Sequence, residues 1–128
     1  MISIDIKKKI LIVDDEEDIT FIFKIILEDA NYKVDTFNDP IEALSNYKKN
    51  YYDLILLDLK LPSISGTELY NRILDMDGNT RICFLTSSEQ ISLFNKNENV
   101  VPKDITVIQK PIENRVFVQK IKDLLTHP

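Results

Sequence analysis

The sequence predicts an α/β protein built as (βα)5, a doubly wound five-stranded parallel sheet with strand order 2-1-3-4-5. Three observations carry this reading. Short apolar runs alternate with longer amphipathic stretches, as repeated βα units require. Three of the runs are apolar at every position, as central strands covered on both faces must be. Two others mix polar and apolar residues, which suits strands at the sheet edges. Two edges, three buried strands and right-handed crossovers then select the order. At 128 residues the chain fits the prior of roughly 100–200 residues for one domain, with a core expected over about residues 8–126.

The first strand is Ile10-Leu11-Ile12-Val13, followed by Asp14-Asp15. A helix is expected next, capped by Asp15 with Asp18 three residues on, because a side-chain acceptor at that spacing satisfies free amides of the first turn. Lys33-Val34-Asp35-Thr36-Phe37 alternates and reads as an edge strand. Asp39 with Glu42, and Pro40 at the first helical position, opens the second helix. Leu54-Ile55-Leu56-Leu57 is the third strand, ending at Asp58, and Ser65 with Glu68 starts the third helix. Ile82-Cys83-Phe84-Leu85 is the fourth strand, with Ser87 and Gln90 marking a fourth helix. The stretch Asp104 to Gln109 is the fifth, an edge strand. Helices of about 10–15 residues are expected after the caps. A last one runs from Glu113 to about Leu125, with Val116, Phe117, Ile121, Leu124 and Leu125 at helical spacing.

Composition excludes several functions. Sixteen basic against twenty-one acidic residues leave a net charge of −5, which repels a phosphate backbone and argues against nucleic-acid binding. The single histidine, His127, is the second-last residue, so neither a Ser-His-Asp triad nor a Cys/His zinc site can be assembled in the body of the domain. The lone Cys83 reads as a buried structural thiol in a reducing compartment. No stretch approaches the roughly eighteen apolar residues of a membrane span, and the start lacks a signal-peptide pattern. A cytoplasmic protein without a membrane anchor is expected.

In an open α/β sheet, ligands bind beyond the carboxyl ends of the strands where the strand order reverses. The polar residues gather there: Asp14 and Asp15 after the first strand, Asp58 after the third, Thr86 after the fourth and Lys110 after the fifth. Singly, each has a plain structural explanation as a helix cap, strand terminator or solvated base. Jointly, they place five polar groups from four strands on one edge. Three carboxylates within about 4–6 Å repel by several kcal/mol per pair at an effective dielectric near 20, so the cluster calls for protonation or a cation. An oxygen-only donor set suits a hard divalent ion, most simply Mg²⁺. An EF-hand is excluded, because its closing glutamate position, counted from Asp14, is Ile25.

The runs ILIVDDEED, LILLDLKLPSISGTEL, FLTSS and VIQKP closely resemble the receiver domain of two-component response regulators, over nearly the whole chain. The most specific piece is Asp58 with Pro62 four residues on and Gly66 eight on. The resemblance implies a flavodoxin-like fold and a signalling phosphoacceptor that catalyses only its own phosphorylation and dephosphorylation. In it Asp58 takes a phosphoryl group from a histidine kinase or phosphotransfer protein. Asp14, Asp15, Asp58 and the backbone carbonyl of Lys60 would hold Mg²⁺, while Thr86 and Lys110 would engage the phosphoryl oxygens. The bond before Pro111 is commonly cis in this family. The switch would reshape the face of the fourth helix, fifth strand and fifth helix and so control a partner protein, as a monomer or a weak phosphorylation-dependent dimer. The chain is expected to be a stand-alone receiver without an output domain.

Departures from the family pattern also carry expectations. Val107 occupies the position where many receivers have a switching aromatic, and residues 88–103 are atypical for the usual output surface. Lys60 and Ser88, each two residues beyond a pocket residue, are expected to set the dephosphorylation rate. A pseudo-receiver that binds partners without control by phosphorylation is the alternative. A haloacid-dehalogenase phosphotransferase is disfavoured, because Lys60 stands where that family has its second acid and its nucleophile follows the first core strand. A flavodoxin-like electron carrier is disfavoured by the acidic run Asp14 to Asp18, which would repel a cofactor phosphate.

Overall fold

Strand alternation divides the core into two layers. In the computed structural model, which describes residues 6–87 and 105–126, the elements are β1 (Lys9–Val13), α1 (Glu17–Asp29), β2 (Lys33–Phe37), α2 (Pro40–Ser45), β3 (Leu54–Asp58), α3 (Gly66–Met76), β4 (Ile82–Ser87), β5 (Thr106–Lys110) and α4 (Asn114–Thr126). The five strands form one parallel sheet in the order β2-β1-β3-β4-β5, as expected. Ile10 and Ile12 point to one face, where they meet Phe23 and Leu27 of α1 and Phe117 and Ile121 of α4. Leu11 and Val13 point to the other, against Ala43 of α2 and Leu69 and Ile73 of α3. The Phe23 and Phe117 rings stack at 4.0 Å between centroids, 15° from parallel, which joins the first helix to the last. Each such side chain contributes about 1.5–3 kcal/mol by leaving water.

The local caps account for two helix starts. The Asp39 carboxylate accepts from the amides of Ile41 at 2.7 Å and Glu42 at 3.2 Å, with Pro40 next to it. The Ser65 hydroxyl accepts from the Glu68 amide at 3.1 Å. The expected Asp15 cap does not form. Helix α1 begins at Glu17, its cap residue is Glu16, and no side chain caps it. The Asp14 carboxylate accepts from the Glu16 amide at 3.0 Å instead, so the turn is held from the end of β1. Helix α2 is also shorter than expected, with six residues. The chain leaves it so that the Tyr47 hydroxyl donates to Asp77 at 3.0 Å, thirty residues away. Strand β4 extends through Ser87, which places Thr86 inside the sheet. Strand β5 runs Thr106–Lys110, two residues later at its start than expected, and the last helix starts one residue later and ends one later. Cys83 is buried, and burial pushes its thiol up to about 12, the behaviour of an inert structural residue. Ser87, the expected cap of a fourth helix, is the last residue of β4; that helix, Gln90, Ser88 and the atypical stretch fall in residues 88–104, outside the described residues. Among the described residues, no helix is long and apolar enough to cross a membrane.

The stacked pair gives a direct test of this packing. Phe117→Ala leaves a cavity beneath α1 and should lower unfolding free energy by about 3–5 kcal/mol. A urea titration showing a loss below about 1 kcal/mol would contradict the packing described.

Candidate functional site

The carboxyl ends of β1, β3, β4 and β5 bring Asp14, Asp58, Thr86 and Lys110 together. Asp14 follows β1 and is buried; its backbone amide donates to the Phe37 carbonyl at 3.1 Å. Its own carbonyl accepts from the Asn38 side-chain amide at 2.8 Å. Asn38 also donates to the Thr20 hydroxyl at 2.9 Å, so one amide ties the end of β1 to α1. Asp58 closes β3 and is 1% exposed. The chain then turns back on it, and the Lys60 amide donates to an Asp58 carboxylate oxygen at 3.4 Å. The Gly66 amide donates to the Leu59 carbonyl at 2.8 Å. A Cβ at Gly66 would collide with the Asp58 carbonyl oxygen and lie 2.7 Å from Leu59 Cα. This close approach is the physical reason for a glycine eight residues after Asp58.

Lys110 completes the site from β5, and the bond that follows it to Pro111 is cis. Its Nζ lies 2.8 Å from Asp14 Oδ2, 3.6 Å from Asp58 Oδ2 and 3.8 Å from Glu16 Oε1. Burial disfavours the charge on this lysine, but the Asp14 hydrogen bond and the fields of Asp14, Asp58 and Glu16 outweigh it and hold the group above its ordinary value. The Asp58 carboxyl, too, is held above its ordinary value. Burial first, then the nearby Asp14 charge, raises its carboxyl from 3.8 to about 7, against the opposing pull of Lys110 and the Lys60 amide. Thr86 is fully buried beside them on β4, with its hydroxyl 3.4 Å from the Ser87 carbonyl oxygen.

Asp15 and Lys60 are exposed at the rim. Val107 is partly buried and packs with the α2–α3 core layer. Two residues were not anticipated from sequence. Asn38 positions Asp14 from a loop that carries no local motif. Glu16 joins Asp14 and Asp15, each offering a carboxylate oxygen within 4.8 Å of the others. Its signal was present in the run Asp14-Asp15-Glu16, but the expectation stopped at the aspartates. The donors are oxygens only, from side chains that are anionic when ionised, so the residues fit a hard divalent cation in preference to zinc or copper.

An acidic pocket with a lysine from the last strand, at the carboxyl edge of a 2-1-3-4-5 parallel sheet, defines a receiver-type domain. The chain belongs to the response regulator receiver domain family, whose model matches residues 10–122. It is 29% identical to the response regulator receiver protein CpdR of Brucella abortus over 118 residues, 92% of this chain and 97% of CpdR. It is 45% identical to the response regulator ArlR of Staphylococcus aureus over 65 residues, 51% of this chain but only 30% of ArlR. Among solved structures, the response regulator TrrA of Thermotoga maritima in complex with Mg²⁺-BeF superposes with a TM-score of 0.74 at 30% identity, covering 92% of this chain and 99% of TrrA. The protein is thus a two-component signalling domain.

The raised Asp58 carboxyl makes a signed prediction. In the unfolded chain it ionises near 3.8 and in the folded one near 7, so the folded state holds the extra proton between these values. Metal-free stability should therefore fall as pH rises from about 4 to about 7, with the cost fully present above that and absent below. Asp58→Asn removes it. The ceiling is about 4 kcal/mol, and relaxation should leave a gain of about 1–3 kcal/mol at pH 8 that shrinks toward zero at pH 4. Urea titrations in chelator at both pH values measure this; an equal effect at both would refute it. Gly66→Ala should cost about 1–3 kcal/mol through the backbone collision, and unchanged stability by the same titration would count against the turn geometry.

Proposed function

We propose that the protein is a phosphoacceptor receiver that takes a phosphoryl group from a histidine kinase or phosphotransfer protein onto Asp58, with Mg²⁺ in the acidic pocket, in the cytoplasm. The observation that carries the proposal is the buried Asp58 carboxylate, 3.6 Å from the Lys110 ammonium that also pairs with Asp14. An Asp58 oxygen attacks phosphorus; the new O–P bond forms as the donor's N–P bond breaks, and the electron pair leaves with the imidazole nitrogen. Asp58 must be ionised to do this. Lys110 supports the ionised form and is placed to pair with a phosphoryl oxygen once the group is attached. Thr86, on the neighbouring strand, would donate to another. Asp14, Asp15, Asp58 and the Lys60 carbonyl would hold the cation, which when bound supplies positive charge opposite the developing charge on the phosphoryl oxygens.

The attached group would change the charge beside β4 and β5, and the proposed output is a change in the surface of β5 and α4. That face would control a downstream partner protein. Val107 favours a second reading. A small residue already packed against the core cannot swing as an aromatic ring would, which suits an interaction module whose surface does not respond to phosphorylation.

Intact mass after incubation with acetyl phosphate and Mg²⁺ tests the acceptor. Wild type should gain one phosphoryl group, and Asp58→Asn or a chelator should abolish the gain. The absence of any adduct, with kinase-borne phosphohistidine also failing as donor, would leave the phosphorylation-independent module. Lys60→Ala should change the half-life of the adduct by more than about twofold; decay at the wild-type rate would remove Lys60 from the path of the attacking water.

A further inference from the structure

We propose that Glu16 is a fourth acidic member of the divalent-cation site, beside Asp14, Asp15 and Asp58, one that strengthens cation binding from the rim while Asp14 and Asp58 remain engaged with Lys110. The inference rests on the acceptor reading above and concerns how the same pocket acquires its ion. Glu16 is held at the backbone from both sides. Its amide donates to the Asp14 carboxylate at 3.0 Å, and its carbonyl accepts from Ile19 at 3.1 Å and Thr20 at 3.2 Å. The side chain leaving this fixed point is 61% exposed, but its carboxylate stays within reach of the pocket. It turns inward, 3.8 Å from the buried Lys110 ammonium, with its carboxylate in one cluster with those of Asp14 and Asp15.

The chemistry of the pocket makes this additional charge useful. Lys110 occupies Asp14 most closely and Asp58 next, so the two buried carboxylates are already partly neutralised when a cation arrives. Asp15 and Glu16 lie at the open side and are the acids an entering ion meets first. A full charge within about 5 Å of a divalent ion, screened by water on its outer side, should be worth about three- to tenfold in affinity. Glu17, the next residue in the chain, stands in the first turn of α1 outside this cluster. It carries the same charge without the same position.

Calorimetric titration of the full chain with Mg²⁺, without any phosphodonor, tests the role. Glu16→Gln should raise Kd about three- to tenfold, whereas Glu17→Gln, with the same change in net charge, should shift it less than about twofold. Glu16→Gln binding within twofold of wild type would overturn the proposal. So would an equal loss in Glu17→Gln, which would reduce the effect to net charge. Asp15→Asn separates the two levels of the argument. If it loses affinity while Glu16→Gln does not, only the role of Glu16 fails. If Asp15→Asn also binds Mg²⁺ like wild type, the acidic pocket is not the cation site, and the acceptor reading falls with it. Far-ultraviolet circular dichroism of each variant verifies that these comparisons are between folded proteins.

Discussion

The pairing of Lys110 with Asp14, 2.8 Å apart and ninety-six residues distant in sequence, is the contact on which the arrangement of the pocket depends. Asp14 and Asp58 are both withdrawn from water. Two carboxylates in that position are costly, and burying an unpaired charge costs more than any single packing contact returns. The ammonium that offsets them comes from the far edge of the sheet. Strand β5 lies two strands from β3, roughly 10 Å at the usual spacing, and only a long, unbranched side chain spans such a gap. Sheet order, the length of the lysine stem and the burial of the aspartates are therefore one constraint. Moving β5 elsewhere would leave Asp58 with Asp14 as a neighbour and no cation to offset either.

That constraint explains which features were legible in the sequence. Ile10 to Val13, Leu54 to Leu57 and Ile82 to Leu85 are buried on both faces of a parallel sheet, and a continuous apolar run is the direct imprint of that environment. The caps at Asp39 and Ser65 were readable because donor and acceptor lie within one turn. The start of α1 was not. Asp14, Asp15, Glu16, Glu17 and Asp18 offer nearly equivalent local caps; Asp14, held in the pocket by Lys110, accepts from the Glu16 amide and leaves Glu16 as the cap residue of a helix that begins at Glu17. The early end of α2 has the same kind of cause. The Tyr47 hydroxyl and the Asn50 amide both meet the buried carboxylate of Asp77, a long-range contact with no local pattern. The pocket aspartates were visible as strand ends, whereas Asn38 and Glu16 act through where the fold puts them.

The same physics describes what a receiver must trade. Apolar layers on both sides of the sheet supply the stability, and the charged edge draws on it by keeping Asp58 partly protonated near neutrality. Such strain at a functional edge is tolerable where the rest of the fold is consistent. On the proposed function, a cation or a covalently attached phosphoryl group would change the balance at one point, and Lys110 would then divide itself differently between Asp14 and the new oxygens. Thr86 and Gln109, and Ser87 and Lys110, are register neighbours on β4 and β5. A displacement of either side chain is therefore passed to the edge strand through adjoining ladder positions. Val107, three residues before Lys110 and packed into the opposite core layer, lies on that strand. Any response of the β5 edge must work through backbone and aliphatic packing there, because the chain carries no ring at that position to move.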